Sequence, residues 1–156
     1  MRSFLVRHAK AGSRSDWTGD DRVRPLSKSG WRQAEAIGER LSTEHPSTLW
    51  TSPYLRCRQT LEVLARMTDL DIVEDARLAE AGRFEDVLAL ITSLPDGAVL
   101  CSHGDVIPDT IAALERRGCE IKTRPDWRKA TIWTIEHVSG DWLSATVEPP
   151  PGSPPL

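Results

Sequence analysis

Cysteine is scarce in this chain, and its spacing excludes two structural classes. Cys57, Cys101 and Cys119 are odd in number and far apart, and no CxxC pair occurs among them. A disulfide framework needs an even set of cysteines, and a structural zinc site needs closely spaced pairs. We therefore expect reduced thiols and a cytoplasmic protein.

Long hydrophobic runs and a charge excess of one sign are also absent. The apolar stretch Phe4–Val6 is too short for a signal-peptide core, and no run reaches the length of a membrane span. The formal net charge is only -3, so neither nucleic acid nor a membrane is expected as a partner. Several arginines in the first 58 residues, among them Arg7, Arg24 and Arg56, are compatible with a local anion site. The oligomeric state stays open.

Length and element order predict one α/β domain. A chain of 156 residues, 39% hydrophobic and 28% charged, is long enough to bury one folded core. Short apolar strands alternate with amphipathic helices, which predicts a three-layer α/β/α sandwich with a mostly parallel central sheet. We assign residues 1–148 to this single domain and expect residues 149–156 to form a flexible, proline-rich tail outside the sheet.

Hydrophobic periodicity and turn residues place the individual elements. Strands are predicted over residues 2–6, 48–51, 71–73 and 98–101, with a terminal hairpin formed by 130–137 and 142–148. Helices are predicted over residues 27–41, from Ser52-Pro53 onward, around 84–94, and over about 106–117. In the second helix, Ser52 is expected to be the cap and Pro53 the first helical residue.

Polar residues follow three of the predicted strands at their carboxyl ends. Arg7-His8 follows the first strand, Ser52 to Arg56 follows the second, and Ser102-His103-Gly104 follows the strand at 98–101. Parallel strands share one carboxyl edge, where open α/β folds bind ligands. Two histidines and two arginines there would form a phosphate pocket, with Arg56 near a helix N-terminus that favours anions. Neighbouring arginines would also lower the pKa of His8 and keep its imidazole neutral and nucleophilic.

Four segments resemble, in order, the motifs of the histidine phosphatase superfamily. LVRHAKAG is similar to its RHG signature, with Ala9 at the position of the usual glycine. SPYLRCRQT resembles the second motif, whose arginine corresponds to Arg56, and LCSHGDVI resembles the late His-Gly motif around His103. DRVRPLSKSGWRQA is similar to a segment of the short bacterial branch that includes phosphohistidine phosphatases. The motifs span residues 1 to about 110.

The resemblance implies a phosphoglycerate mutase-like fold and a phosphatase that uses no metal or other cofactor. It implies that His8 is the nucleophile and that Arg7, Arg56 and His103 bind the phosphoryl group, with Gly104 beside it. The reaction would pass through a phosphohistidine intermediate. The substrate would be a phosphohistidine protein or a small phosphate ester such as a nucleotide. A phosphate-binding scaffold on the same fold, without catalysis, is the alternative.

The sequence also offers a candidate for the proton donor. Larger relatives in the superfamily carry a glutamate in a loop after the second motif, and Glu80 in RLAEAGRFEDV occupies a similar place. An exposed loop carboxylate is the alternative for Glu80. Asp105 is interpreted as a helix N-terminal charge and as the next candidate donor. Arg58 is expected to face solvent, and Arg24 and Ser27 are expected to be structural parts of the first loop.

Overall fold

The computed structural model describes residues 1–156, which are organised by a seven-stranded sheet. The strands are β1 (Arg2–Arg7), β2 (Thr48–Thr51), β3 (Ile72–Glu74), β4 (Ala98–Ser102), β5 (Glu120–Ile121), β6 (Ile132–Val138) and β7 (Asp141–Glu148). The helices are α1 (Lys28–Ser42), α2 (Leu55–Thr68), α3 (Phe84–Ser93) and α4 (Val106–Arg116), with short 3-10 helices at Asp21–Val23 and Ala76–Leu78. None of the helices is both long and apolar enough to span a bilayer.

The sheet is mostly parallel, as predicted. Its strand order is β3-β2-β4-β1-β6-β7-β5, and the first four of these strands run parallel. β6 pairs antiparallel with β1 and with β7, and β5 pairs parallel with β7. The predicted hairpin β6–β7 closes through Ser139 and Gly140 at φ 49° and 85°, the left-handed backbone that a tight two-residue turn requires.

Alternating side chains on β1 divide the core into two layers. Phe4 and Val6 belong to the cluster that α1 and α2 cover, whereas Leu5 belongs to the cluster under α3 and α4. Helices therefore cover both faces, and the three-layer α/β/α sandwich is confirmed. β1 and β4 are neighbours, yet the helices that follow them, α1 and α4, lie on opposite faces. Open α/β sheets bind ligands at such a crossover point.

The start of α2 corrects the sequence prediction. Ser52 and Pro53 do not begin the helix, because α2 starts at Leu55. Ser52 is buried, and its Oγ lies 2.8 Å from Nε2 of His103, so a tertiary hydrogen bond replaces the expected helix cap. The other predicted boundaries agree within about two residues. The two-residue strand β5 was not predicted, because so short an element has no periodicity to detect.

The proline-rich tail lies outside the sheet and contacts the domain. Pro150 is buried, and the amide of Ser153 donates to its carbonyl at 2.9 Å. Nη2 of Arg128 donates to the carbonyl of Pro154 at 2.9 Å. Proline has no amide hydrogen to offer a neighbouring strand, which explains why the tail does not extend the sheet. Its residues instead form a wall beside Arg128.

Candidate active site

The carboxyl ends of β1, β4 and β2 meet at one edge of the sheet, as the order of elements predicted. The amide of His8 donates to the carbonyl of Ser102 at 3.1 Å, and the amide of Ser52 donates to that of Cys101 at 3.0 Å. The imidazole rings of His8 and His103 lie 5.4 Å apart, edge to face. A cleft of about 410 Å³ opens here, and its lining includes Arg7, His8, Arg56, Glu80, Gly104 and Asp105.

His8 has the protonation state and tautomer of a nucleophile. Its Nδ1 lies 2.8 Å from the carbonyl oxygen of Ala9, which can only accept, so Nδ1 carries the ring proton and Nε2 keeps its lone pair. Burial lowers the pKa of His8 from 6.5 to about 3. The Ala9 hydrogen bond opposes this shift, and the charges of His103, Arg56 and Arg7 add to it. The imidazole is therefore neutral at pH 7, with a lone pair on Nε2 that can act as a nucleophile.

Arg7 is held over the position of Gly104. Its Nη1 donates to the carbonyl of Trp127, and its Nε is buried without a hydrogen-bond partner. A Cβ added at Gly104 would lie 2.5 Å from Cζ of Arg7, and the three nearest atoms all belong to that guanidinium group. Gly104 therefore provides the space in which the Arg7 guanidinium lies at the cleft.

Replacing Gly104 by alanine should displace Arg7 while the fold stays intact, because the clash involves the end of a flexible side chain. Affinity for phosphate or vanadate should fall about 10- to 150-fold, as expected for one lost charge-assisted hydrogen bond of about 1.5–3 kcal/mol. Inhibition constants and thermal unfolding would measure the two effects. Gly12→Ala is the matched control, because Gly12 lines the same cleft and has open space at its Cβ position. Equal losses in the two variants would contradict this role of Gly104.

Arg56 joins two loops at the cleft. It is only 1% exposed and lies in the first turn of α2. Its Nη1 donates to the carbonyl of Asp21 at 2.9 Å, and its Nη2 contacts the carboxylates of Asp21 at 3.2 Å and Glu80 at 3.4 Å. Its Nε is buried without a partner. Arg58 instead pairs with Glu74 at 3.2 Å on the surface, as predicted. Asp21 was missed, because it lies in an aperiodic polar loop that carries no local signal of this contact.

Ser52 orients His103. The Oγ of Ser52 accepts from the amide of Tyr54 at 3.2 Å and forms a hydrogen bond with Nε2 of His103 at 2.8 Å. When Nε2 of His103 accepts from the Ser52 hydroxyl, the ring proton lies on Nδ1, which is buried and has no partner. The ring of Tyr54 packs edge-on against His103 with centroids 4.7 Å apart. In that tautomer, His103 has an unused donor of the kind that binds a phosphoryl oxygen.

Glu80 lies at the cleft in a fixed loop. Its Oε1 contacts Arg56, as described above, and Nη2 of Arg14 at 3.1 Å, with a third of its side chain exposed. The next residue, Ala81, has a left-handed backbone at φ 62°, and its amide donates to Oδ2 of Asp105 at 2.8 Å. Oδ1 of Asp105 accepts from the amide of Val106 at 2.9 Å. Both oxygens of Asp105 are thus bound to backbone amides, which confirms it as a helix N-terminal charge and disfavours it as a proton donor.

The first loop is structured by the two residues expected to support it. Arg24 is 5% exposed and donates to the carbonyl of Gly12 and, at 2.9 Å, to the carboxylate of Asp21. Ser27 caps α1 by accepting from the amide of Gly30 at 3.1 Å. Both structural roles are confirmed, and Arg24 also lines the cleft. No three His, Cys, Asp or Glu side chains lie close enough together to hold a metal ion.

Comparison with known proteins gives a family for this arrangement. The model of the histidine phosphatase superfamily (branch 1) matches residues 3–90. An 8-oxo-(d)GTP phosphatase of Mycolicibacterium smegmatis is 36% identical over 157 residues, which cover 95% of this chain and 48% of that protein. A probable phosphoglycerate mutase GpmB of Klebsiella pneumoniae is 27% identical over 164 residues, covering 100% of this chain and 67% of that protein. The chain thus spans about half the length of the first of these relatives.

Solved structures share the fold across nearly the whole chain. The protein histidine phosphatase SixA in complex with tungstate superposes with a TM-score of 0.75 at 21% identity, covering 95% of this chain and 94% of that one. The mycobacterial glucosyl-3-phosphoglycerate phosphatase with VO3 gives a TM-score of 0.69 at 20% identity, covering 94% and 97%. At these identities the likeness bears on the fold, and the phosphoglycerate mutase-like architecture expected from the sequence motifs is confirmed.

Proposed function

Because this chain belongs to the histidine phosphatase superfamily, we propose that it is a phosphatase that forms a phosphohistidine on His8. The observation that carries the proposal is the state of His8: a neutral imidazole whose ring proton is fixed by Ala9 and whose Nε2 is free. Arg7, Arg56 and His103 surround it with donors for a phosphoryl group.

The reaction consists of two in-line transfers. Nε2 of His8 attacks phosphorus as the bond to the leaving group breaks, and water then attacks the phosphorus of phosphohistidine to release phosphate. Nε of Arg7, Nε of Arg56 and Nδ1 of His103 are buried donors without protein partners, and they would bind the phosphoryl oxygens. In such transfers, most of the acceleration comes from fixed hydrogen-bond donors that stabilise the negative charge on the phosphoryl oxygens in the transition state. The arginines provide this charge, so the proposed reaction uses no metal or other cofactor.

Glu80 is the proposed proton donor for ester substrates. General acid catalysis contributes about 10²–10⁴-fold when the leaving group is an alkoxide, and little when it is a phenolate such as nitrophenolate. Glu80→Gln should therefore slow hydrolysis of an alkyl phosphate strongly and that of nitrophenyl phosphate weakly, as kcat/KM for each substrate would show. The control is Glu74→Gln, because Glu74 also pairs with an arginine but lies on the surface. If Glu80→Gln slows both substrates equally, or neither, Glu80 has no role as an acid.

The substrate class of the proposed phosphatase is a phosphohistidine protein or a small phosphate ester such as a nucleotide. This range of substrates is supported by the proteins that the chain resembles. Two relatives in sequence are named as an 8-oxo-(d)GTP phosphatase and a probable phosphoglycerate mutase, and one structural neighbour is a protein histidine phosphatase. The test is a turnover screen with phosphohistidine protein, nucleotides and sugar phosphates. Turnover of none of them, together with tight phosphate binding, would favour the non-catalytic scaffold instead. We also propose a cytoplasmic location, which the three free cysteines support.

A further inference from the structure

A second cleft continues from the catalytic cleft. It measures about 400 Å³ and shares Arg7, Lys10 and Lys129 with the catalytic cleft as lining residues. Arg128 and the proline-rich tail form its outer wall. Among the residues that line this second cleft, the proposed phosphatase reaction involves only Arg7. It gives no role to Lys10 or Lys129.

Hydrogen bonds hold the backbone at both lysines close to the carboxyl end of β1. The amide of Lys10 donates to Oε1 of Gln33 at 2.9 Å, and its carbonyl accepts from the amide of Ser27 at 3.0 Å. Lys129 precedes Ala130, whose amide lies 3.2 Å from the carbonyl oxygens of both Arg7 and His8. Both exposed lysines therefore lie near the same strand end as His8: Lys10 follows it in sequence, and Lys129 is placed there by the hydrogen bonds of Ala130.

The three cations that the two clefts share have no carboxylate in direct ion-pair contact. Arg14, Arg24 and Arg56 all form ion pairs with carboxylates, whereas Arg7, Lys10 and Lys129 form none. Burial lowers the pKa of Arg7, and the charge of Asp105, which is not in direct contact with it, opposes this shift. Burial lowers the pKa of Lys129, and the charges of Arg7, Arg24, Lys10 and Arg56 lower it as well. Uncompensated cations repel one another, and a polyvalent anion between them would relieve that repulsion. In a chain whose formal net charge is -3, such a cluster indicates an anionic ligand.

We propose that Lys10 and Lys129, together with Arg7, form a second anion subsite that selects substrates carrying an oligophosphate chain. This inference rests on the proposed function, because the terminal phosphoryl group of that chain lies at His8. The two clefts share three cationic residues, so the second anion must lie directly beside the first. Phosphates linked by a bridging oxygen meet that condition. A neutral alcohol as leaving group would leave both lysines without a partner.

The chemistry of an oligophosphate agrees with this placement. Nε2 of His8 attacks the terminal phosphorus, and the bond between that phosphorus and the bridging oxygen breaks. The bridging oxygen keeps the electron pair of this bond and stays on the shortened chain, which is the leaving group. Water then hydrolyses the phosphohistidine, so that one water is consumed and one phosphate is released per cycle. The leaving oxygen belongs to a phosphate, which is weakly basic, so the two lysines stabilise it by charge and no proton from Glu80 is needed.

Binding of inorganic tripolyphosphate and of orthophosphate, each titrated calorimetrically into the intact protein and its variants, tests the subsite without requiring turnover. Lys129→Gln and Lys10→Gln should each weaken the binding of tripolyphosphate about five- to thirty-fold. A loss of this size lies between the loss expected for an exposed ion pair and that expected for a hydrogen bond to a charged group. Orthophosphate affinity should fall by much less. The control is Lys122→Gln, which removes an exposed lysine outside both clefts and should weaken neither ligand.

Pyrophosphate and ADP distinguish the two sources of an oligophosphate chain. If ADP binds more tightly than pyrophosphate, a nucleoside adds contacts beyond the subsite; if it does not, the inorganic chain is sufficient, and both results support the subsite. The subsite is excluded if tripolyphosphate binds no better than orthophosphate, or if Lys122→Gln has the same effect as Lys129→Gln. A protein that binds tripolyphosphate through these lysines but hydrolyses no phosphate would instead overturn the proposed function alone.

Discussion

Turnover should fall at least about 10³-fold when His8 is replaced by alanine, a loss typical of removing a catalytic nucleophile. The expectation follows from the geometry at the end of β1, where only Nε2 of His8 combines a free lone pair with flanking guanidinium groups. The fold should tolerate the change, because the side chain makes a single hydrogen bond, to the carbonyl of its own neighbour Ala9.

The measurement is kcat with nitrophenyl phosphate, accompanied by thermal unfolding of each variant. His45→Asn is the matched control, because His45 is exposed, lies at the opposite end of the strands, and has a left-handed backbone that asparagine adopts readily. This control should keep full activity. A His8→Ala protein that retains near-normal turnover would remove His8 from the mechanism.

Arg56→Ala should lower kcat/KM about 30- to 1,000-fold. A charge-assisted hydrogen bond made in the transition state stabilises that state by about 2–4 kcal/mol. Arg58→Ala should change kcat/KM by less than about twofold, because the surface pair of Arg58 with Glu74 lies away from the cleft. The two arginines are separated by one residue on the same helix, which makes them a close comparison.

Arg56→Ala also removes contacts with Asp21 and Glu80, so lost activity alone could reflect disordered loops. Arg56→Lys separates the two effects: it keeps the charge but loses the forked geometry, and it should recover only part of the activity at unchanged unfolding temperature. Equal losses at Arg56 and Arg58 would contradict the anion pocket.

The local patterns of the sequence are sufficient to predict every strand except the two-residue β5, and the edge at which the strands meet. Apolar runs predict the strands β1 and β4, and the polar pairs Arg7-His8 and His103-Gly104 mark the carboxyl ends of these strands. Because β1 and β4 pair in parallel, the two histidines lie close together. The pattern also separated Arg56 from Arg58, since the two project from different faces of α2.

Contacts between distant segments could not be predicted in the same way. Asp21 reaches Arg56 from 35 residues away, and Ser52 reaches His103 from 51 residues away. The second of these contacts also explains why α2 begins later than its Ser-Pro signal indicates. Lys129 lies in a polar loop without periodicity, and only the hydrogen bonds of Ala130 to the strand end show that it belongs to the site.

The most direct test of a phosphohistidine on His8 is rapid quenching of the protein during incubation with a radiolabelled phosphate substrate. We expect a protein-bound phosphate that is lost in acid and stable in alkali, as a phosphoramidate is, and that maps to the peptide containing His8. The His8→Ala protein should acquire no label. Label that survives acid, or that maps to any residue other than His8, would contradict a mechanism through phosphohistidine at this position.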